Sequence, residues 1–134
     1  MEEVRLSEYL LDTHIWFWFM IGSPKLPARL AELVESSKKT CWLSPLSIWE
    51  LGLLARKGKI ELEGTCREWT DRALGNLPLK EATVTNQVAS AVDEIKLDHR
   101  DPADRFLAAT ALVYDLTLVT VDKRLIEASW LKTA

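Results

Sequence analysis

A chain of 134 residues with 48% hydrophobic and 28% charged side chains suits one soluble domain with one core. Its 17 basic and 20 acidic residues give a net charge of −3, which argues against a broad nucleic-acid-binding surface. Two cysteines, Cys41 and Cys66, are too few for a disulfide framework and read as reduced thiols in a cytoplasmic protein. The start, MEEVRLSEYLL, is acidic where a signal peptide is basic, and the apolar run Ile15 to Ile21 falls far short of the roughly 20 residues that span a bilayer.

Short apolar runs alternate with longer helical ones, the pattern of α/β units around a mostly parallel sheet. The first strand is read at about Tyr9 to Leu11, with a helix from about Thr13. The stretch SPKLPARLAELVESSK carries a helix from about Pro27, with Leu30, Leu33 and Val34 at helical spacing. TCWLS, residues 40–44, reads as a buried second strand, and SPLSIWELGLLARKGK as a helix capped by Ser44, opened by Pro45 and stopped by Gly58. CREWTDRAL is a further helix. EATVT reads as a third strand leading into a helix over about Asn86 to Ile95. DPADRFLAATALVYD is a helix, and LTLVTV, residues 116–121, is an apolar, partly β-branched strand bounded by Asp115 and Asp122. The end of the chain offers a short last strand around Leu131 to Thr133.

The acids fall at particular places on this outline. Asp12 and Asp122 each follow a strand directly, Asp101 and Asp104 open a helix, and Glu50 lies in the helix after the second strand. In an open parallel sheet the carboxyl ends of the strands share one edge, where ligands bind, so acids distant in sequence can converge there. Each acid also has a local reading. Asp12, Asp101 and Asp122 suit helix caps, Asp104 suits the positive end of a helix, and SIWE, residues 47–50, matches a capping box with Ser47 as cap. Glu50 fits least well, because its helical neighbours are Leu46, Leu53 and Leu54, and Asp104 continues into Leu107, Ala108 and Ala111. A carboxylate on an apolar stripe needs a partner.

A cation among the acids answers both difficulties. Oxygen ligands select Mg²⁺ or Mn²⁺ over zinc. The sequence has no His/Cys cluster, calcium loop, phosphate loop or nucleophile elbow. A carboxylate-held Mg²⁺ is the equipment of metal-assisted phosphodiester hydrolysis.

The segments LLDTHIWFW, LSPLSIWELGLLARKGKIEL, HRDPADRFLAATAL and LTLVTVDKRL occur in that order, from about Tyr9 to Leu125. Together they resemble the PIN-domain ribonucleases, and closely the VapC-type toxins of bacterial toxin–antitoxin pairs. The resemblance implies a three-layer α/β/α sandwich with a central parallel sheet of four to five strands, over a single domain, residues 1–134. It implies that Asp12, Glu50, Asp104 and Asp122 form the acidic site for Mg²⁺ or Mn²⁺, with Asp101, Thr13, Ser44 and Thr120 beside it. It implies RNA cleavage leaving 5′-phosphate and 3′-hydroxyl ends, a homodimer, and a cognate antitoxin as partner. Asp115 departs from the family, sitting where a Gly is usual before the last long strand.

Setting Asp12, Glu50, Asp101, Asp104 and Asp122 aside leaves 15 acidic against 17 basic side chains, so the acidity is concentrated in the site. Arg105, Lys123 and Arg124 are candidates for RNA-phosphate contacts, with Arg56, Lys57, Lys59 and Arg100 also flanking the motifs. Ile15 to Met20 is apolar all round a helix, which fits either deep burial or an exposed face where Trp16, Phe17, Trp18 or Phe19 meets an antitoxin or a second copy. Two other functions compete. A non-catalytic RNA- or protein-binding module could use the same fold. A phosphoacceptor receiver domain would want an acidic pair after the first strand and a Lys after a late one, whereas here Asp12 stands alone and Asp122 takes the late position.

Overall fold

The computed structural model describes residues 7–97 and 101–134. Its centre is a four-stranded parallel sheet of β1 (Tyr9–Leu11), β2 (Cys41–Leu43), β3 (Lys80–Glu81) and β4 (Thr117–Val119), in the order β3-β2-β1-β4. Register pairs Tyr9 with Cys41 and with Thr117, Leu11 with Val119, and Leu43 with Glu81. The helices are α1 (Thr13–Ile21), α2 (Ala28–Ser36), α3 (Pro45–Arg56), α4 (Cys66–Asn76), α5 (Asn86–Ala91), α6 (Pro102–Tyr114) and α7 (Lys123–Ile126).

Side chains alternate across a strand, and the sheet therefore parts the interior into two cores. Leu11, Leu43 and Val119 pack with Ile15, Trp16, Leu30, Leu51 and Trp69 from α1 to α4. Leu10 and Leu118 pack with Val88, Leu107, Ala108, Ala111 and Leu125 from α5 to α7. Burial of each large aliphatic side chain contributes about 1.5–3 kcal/mol. This is the expected layered α/β architecture.

Three local expectations meet corrections. The third strand covers Lys80–Glu81 and overlaps EATVT, residues 81–85, at Glu81 alone; Thr85 instead caps α5, accepting from the Val88 N–H. The ladder goes one bond further, from Ala82 N to the Leu43 carbonyl. The chain end forms a single parallel bridge, Leu118 to Thr133, rather than a full fifth strand. The SIWE capping box does not form: Pro45 starts α3 one turn earlier under the Ser44 cap, leaving Ser47 buried within the helix. A capping box does form at Thr65 and Glu68, at the start of α4.

Trp16 and Phe17, candidates for a partner face, are core residues packed against Trp69, with Trp16 edge-on at 5.3 Å between ring centroids. Trp18 and Phe19 are only half-buried. Asp115 ends α6 in the left-handed region, φ 56°, a conformation that a short polar side chain tolerates. Its carboxylate also accepts from Lys132 Nζ at 2.7 Å and so ties down the chain end.

Candidate active site

Strand order reverses between β1 and β4. The chain steps from β1 outward through β2 to β3, then returns to the other side of β1 as β4. That reversal opens a crevice beyond the carboxyl ends of two neighbouring strands. Asp12 directly follows β1, and Asp122 comes shortly after β4, so the topology brings both acids to the same edge. The Asp12 N–H continues the ladder by donating to the Val119 carbonyl at 3.0 Å.

Asp12 occupies the cap position of α1, yet its carboxylate makes no capping hydrogen bond there. Its Oδ2 instead accepts from Thr120 Oγ1 at 2.7 Å, from a residue 108 positions away. The same Thr120 oxygen accepts the Asp122 N–H at 3.0 Å. One buried hydroxyl thus fixes one acid by its side chain and the other by its backbone. Asp101 and Asp122 do cap their helices, accepting from the N–H groups of Ala103 and Arg124. Thr13 donates to Ser47 at 2.9 Å, joining the starts of α1 and α3, and Ser47 stands three residues before Glu50.

Asp12, Glu50, Asp104 and Asp122 line one cleft of about 430 Å³, together with Asp101, His14, Trp18, Val121 and Arg124. Ser44, Thr13 and Thr120 are buried close to these acids in sequence. Asp12 is only 9% exposed. Burial pushes its carboxyl above the usual range, against the lowering pull of the Thr120 hydroxyl and of His14. Burial raises Glu50 too, and the Asp12 and Asp101 carboxylates add to that rise. Negative charge is therefore gathered where solvent compensates it poorly.

The donor set is carboxylate oxygen, the chemistry of a hard divalent cation, and the residues fit one in that respect. Among the described residues, no three His, Cys, Asp or Glu side chains close into a ligand cage as they stand.

The candidate phosphate contacts divide. Arg124 lines the cleft. Lys123 is exposed on α7 and outside the cleft lining. Arg105 is committed elsewhere: its guanidinium donates to the carbonyls of Val92, Ile95 and Leu97, fastening that segment to α6. Arg100 lies outside the described residues. Sequence reasoning missed His14 as a cleft residue. The signal was its place two residues beyond Asp12 and one helical turn before Trp18.

No helix among the described residues is long and apolar enough to cross a membrane. The model of the PIN domain matches residues 9–131. Ribonuclease VapC22 of Mycobacterium tuberculosis is 26% identical over 121 residues, 90% of this chain and 91% of that protein. Two solved structures share the fold. The VapBC2 complex of Rickettsia felis bound to a promoter DNA fragment aligns with a TM-score of 0.70 at 18% identity, over 94% of this chain and 96% of that one. A toxin–antitoxin complex from Klebsiella pneumoniae aligns at 0.65 and 19%, over 95% and 96%. With its matched strands, its switch-point cleft and a family match over nearly its whole length, the chain belongs to the PIN-domain family.

Proposed function

We propose that this chain is a Mg²⁺- or Mn²⁺-dependent endoribonuclease, the toxin of a toxin–antitoxin pair, held inactive by a cognate antitoxin. The observation that carries the reading is the cleft at the β1/β4 switch point, which five carboxylates from four separate segments line together. The similarity to a VapC ribonuclease and to toxin–antitoxin complexes supports the same reading.

Asp12, Glu50, Asp104 and Asp122 would hold the cation. When bound, it supplies Lewis acidity toward a phosphodiester and toward an attacking water. Thr120 holds the Asp12 carboxylate in one orientation, so no reorganisation is needed when the substrate arrives. Arg124 offers a positive group at the cleft for a neighbouring phosphate. No side-chain nucleophile is required.

The test is direct. The purified protein, incubated with single-stranded RNA and millimolar Mg²⁺ or Mn²⁺, should release fragments with 5′-phosphate and 3′-hydroxyl ends, and excess chelator should stop it. Undiminished cleavage in chelator would overturn the metal-dependent mechanism. Thr120→Val is expected to raise the cation concentration for half-maximal cleavage about 10–100-fold, the usual effect of losing a group that orients a ligand. An unchanged cation requirement would show that Thr120 does not position Asp12.

A further inference from the structure

The cleft is not acidic throughout. His14 and Trp18 stand one turn apart on α1 with ring centroids 5.5 Å apart, and both line it. Val121, between Thr120 and Asp122, also lines it and is 38% exposed. Arg124 completes the set; its side chain is 65% exposed and meets Asp122 only loosely, at 3.9 Å. An indole and an exposed valine contribute nothing to holding a hydrated cation, and leaving them in contact with water is unfavourable. Trp16 and Phe17, the neighbours of Trp18 on the same helix, are buried in the core, and Trp18 itself is half-buried, packing partly against that core while it lines the cleft.

A ligand that suits both parts of the cleft carries an anionic phosphate and, within a nucleotide's length of it, a flat apolar ring. Single-stranded RNA does so. In a duplex the base faces are covered by neighbouring bases, and recognition of single strands relies on stacking unpaired bases on aromatic side chains. Val121 and Arg124, which line the same cleft, offer apolar contact for a base and a charge for a neighbouring phosphate.

We propose that Trp18, with His14 and Val121, seats one unstacked nucleobase next to the phosphate that the carboxylates address, so cleavage depends on a base at one position. The inference rests on the ribonuclease reading of the cleft. Trp18 is a binding residue in this scheme, and the carboxylates keep their own role.

The experiment uses a synthetic single-stranded oligoribonucleotide spanning a cut site mapped in cellular RNA, and versions with one abasic nucleotide at each position around the cut. Wild-type protein should lose about tenfold or more in kcat/KM for an abasic nucleotide at one position and little at the others, the usual effect of losing one base–aromatic stack. Annealing a complementary strand should protect the site. Trp18→Leu should show a similar loss on the intact oligomer and little further loss on the abasic one, whereas Trp18→Phe should keep most of the activity. The proposal is overturned if no abasic position matters by more than about twofold, if the duplex is cut equally well, or if Trp18→Leu loses equally on both oligomers. The abasic scan needs no variant, so a misfolded Trp18→Leu leaves the test intact. If wild-type protein cuts no RNA under any of these conditions, it is the ribonuclease reading that fails; if it cuts without any abasic effect, only the base seat fails.

Discussion

Asp12→Asn is expected to lower RNA cleavage by about 10³-fold or more and, in the same protein, to raise the melting temperature measured without divalent cation. The two effects have one cause. Asp12 is a buried acid whose carboxyl lies above its usual range because burial disfavours the charged form. Asparagine keeps the shape and an oxygen that can accept from Thr120, so the 2.7 Å bond has a replacement. It removes the charge, and with it both the repulsion toward Asp122 and the ligand for a cation. Activity is read by end-mapped cleavage of RNA, and folding by circular dichroism with a thermal melt. Cleavage within tenfold of wild type would remove Asp12 from the site. A lower melting temperature would show that its charge is already well compensated by the protein. Asp104→Asn, in the first turn of α6 and half-buried, provides a second removal of charge from the same cleft.

The second large effect concerns pH and cation together. Asp12 and Glu50 both have folded-state values raised above their unfolded ones. Between the two values the folded protein binds more protons than the unfolded chain, so stability falls as pH rises. Their favourable contribution is complete below the ordinary carboxylate range and is lost as pH climbs through the raised values. Cation-free protein should therefore gain stability from these two groups on moving from neutral toward mildly acidic pH, opposite to the contribution of a carboxylate held in an ion pair. Mg²⁺ or Mn²⁺ should stabilise neutral protein by about 2.7 kcal/mol at a hundredfold excess over its dissociation constant. The gain should shrink as pH falls and protons compete for the same oxygens. Urea unfolding at several pH values, with and without cation, measures both slopes. A cation effect independent of pH, or absent in wild type and Asp12→Asn alike, would place the cation elsewhere or nowhere.

Much of the architecture was legible in the residues. Cys41–Leu43 and Thr117–Val119 form strands where short apolar runs stand between polar breaks, and Ser44 with Pro45 and Asp101 with Pro102 start their helices as their local chemistry dictates. The alignment of four acids with strand ends and helix starts was equally visible, because polar residues interrupting apolar runs need no knowledge of distant partners. The edge strand and the chain end were harder to place. A two-residue ladder and a single bridge leave almost no periodic signal, and Thr83 to Thr85 fit a strand as well as the turn that caps α5.

By itself, then, the sequence determined most of the element types, the Ser44, Asp101 and Asp122 caps, and where the acids stand along the chain. Only the tertiary structure decided which groups meet. It set β4 beside β1, gave the Asp12 side chain to Thr120 instead of to its own helix, committed Arg105 to three carbonyls, and divided one aromatic run between the core and the cleft. The reason is physical: a cap or a turn is chosen by neighbours along the chain. The partner of Asp12, by contrast, stands 108 residues away and is selected by the packing of the whole sheet.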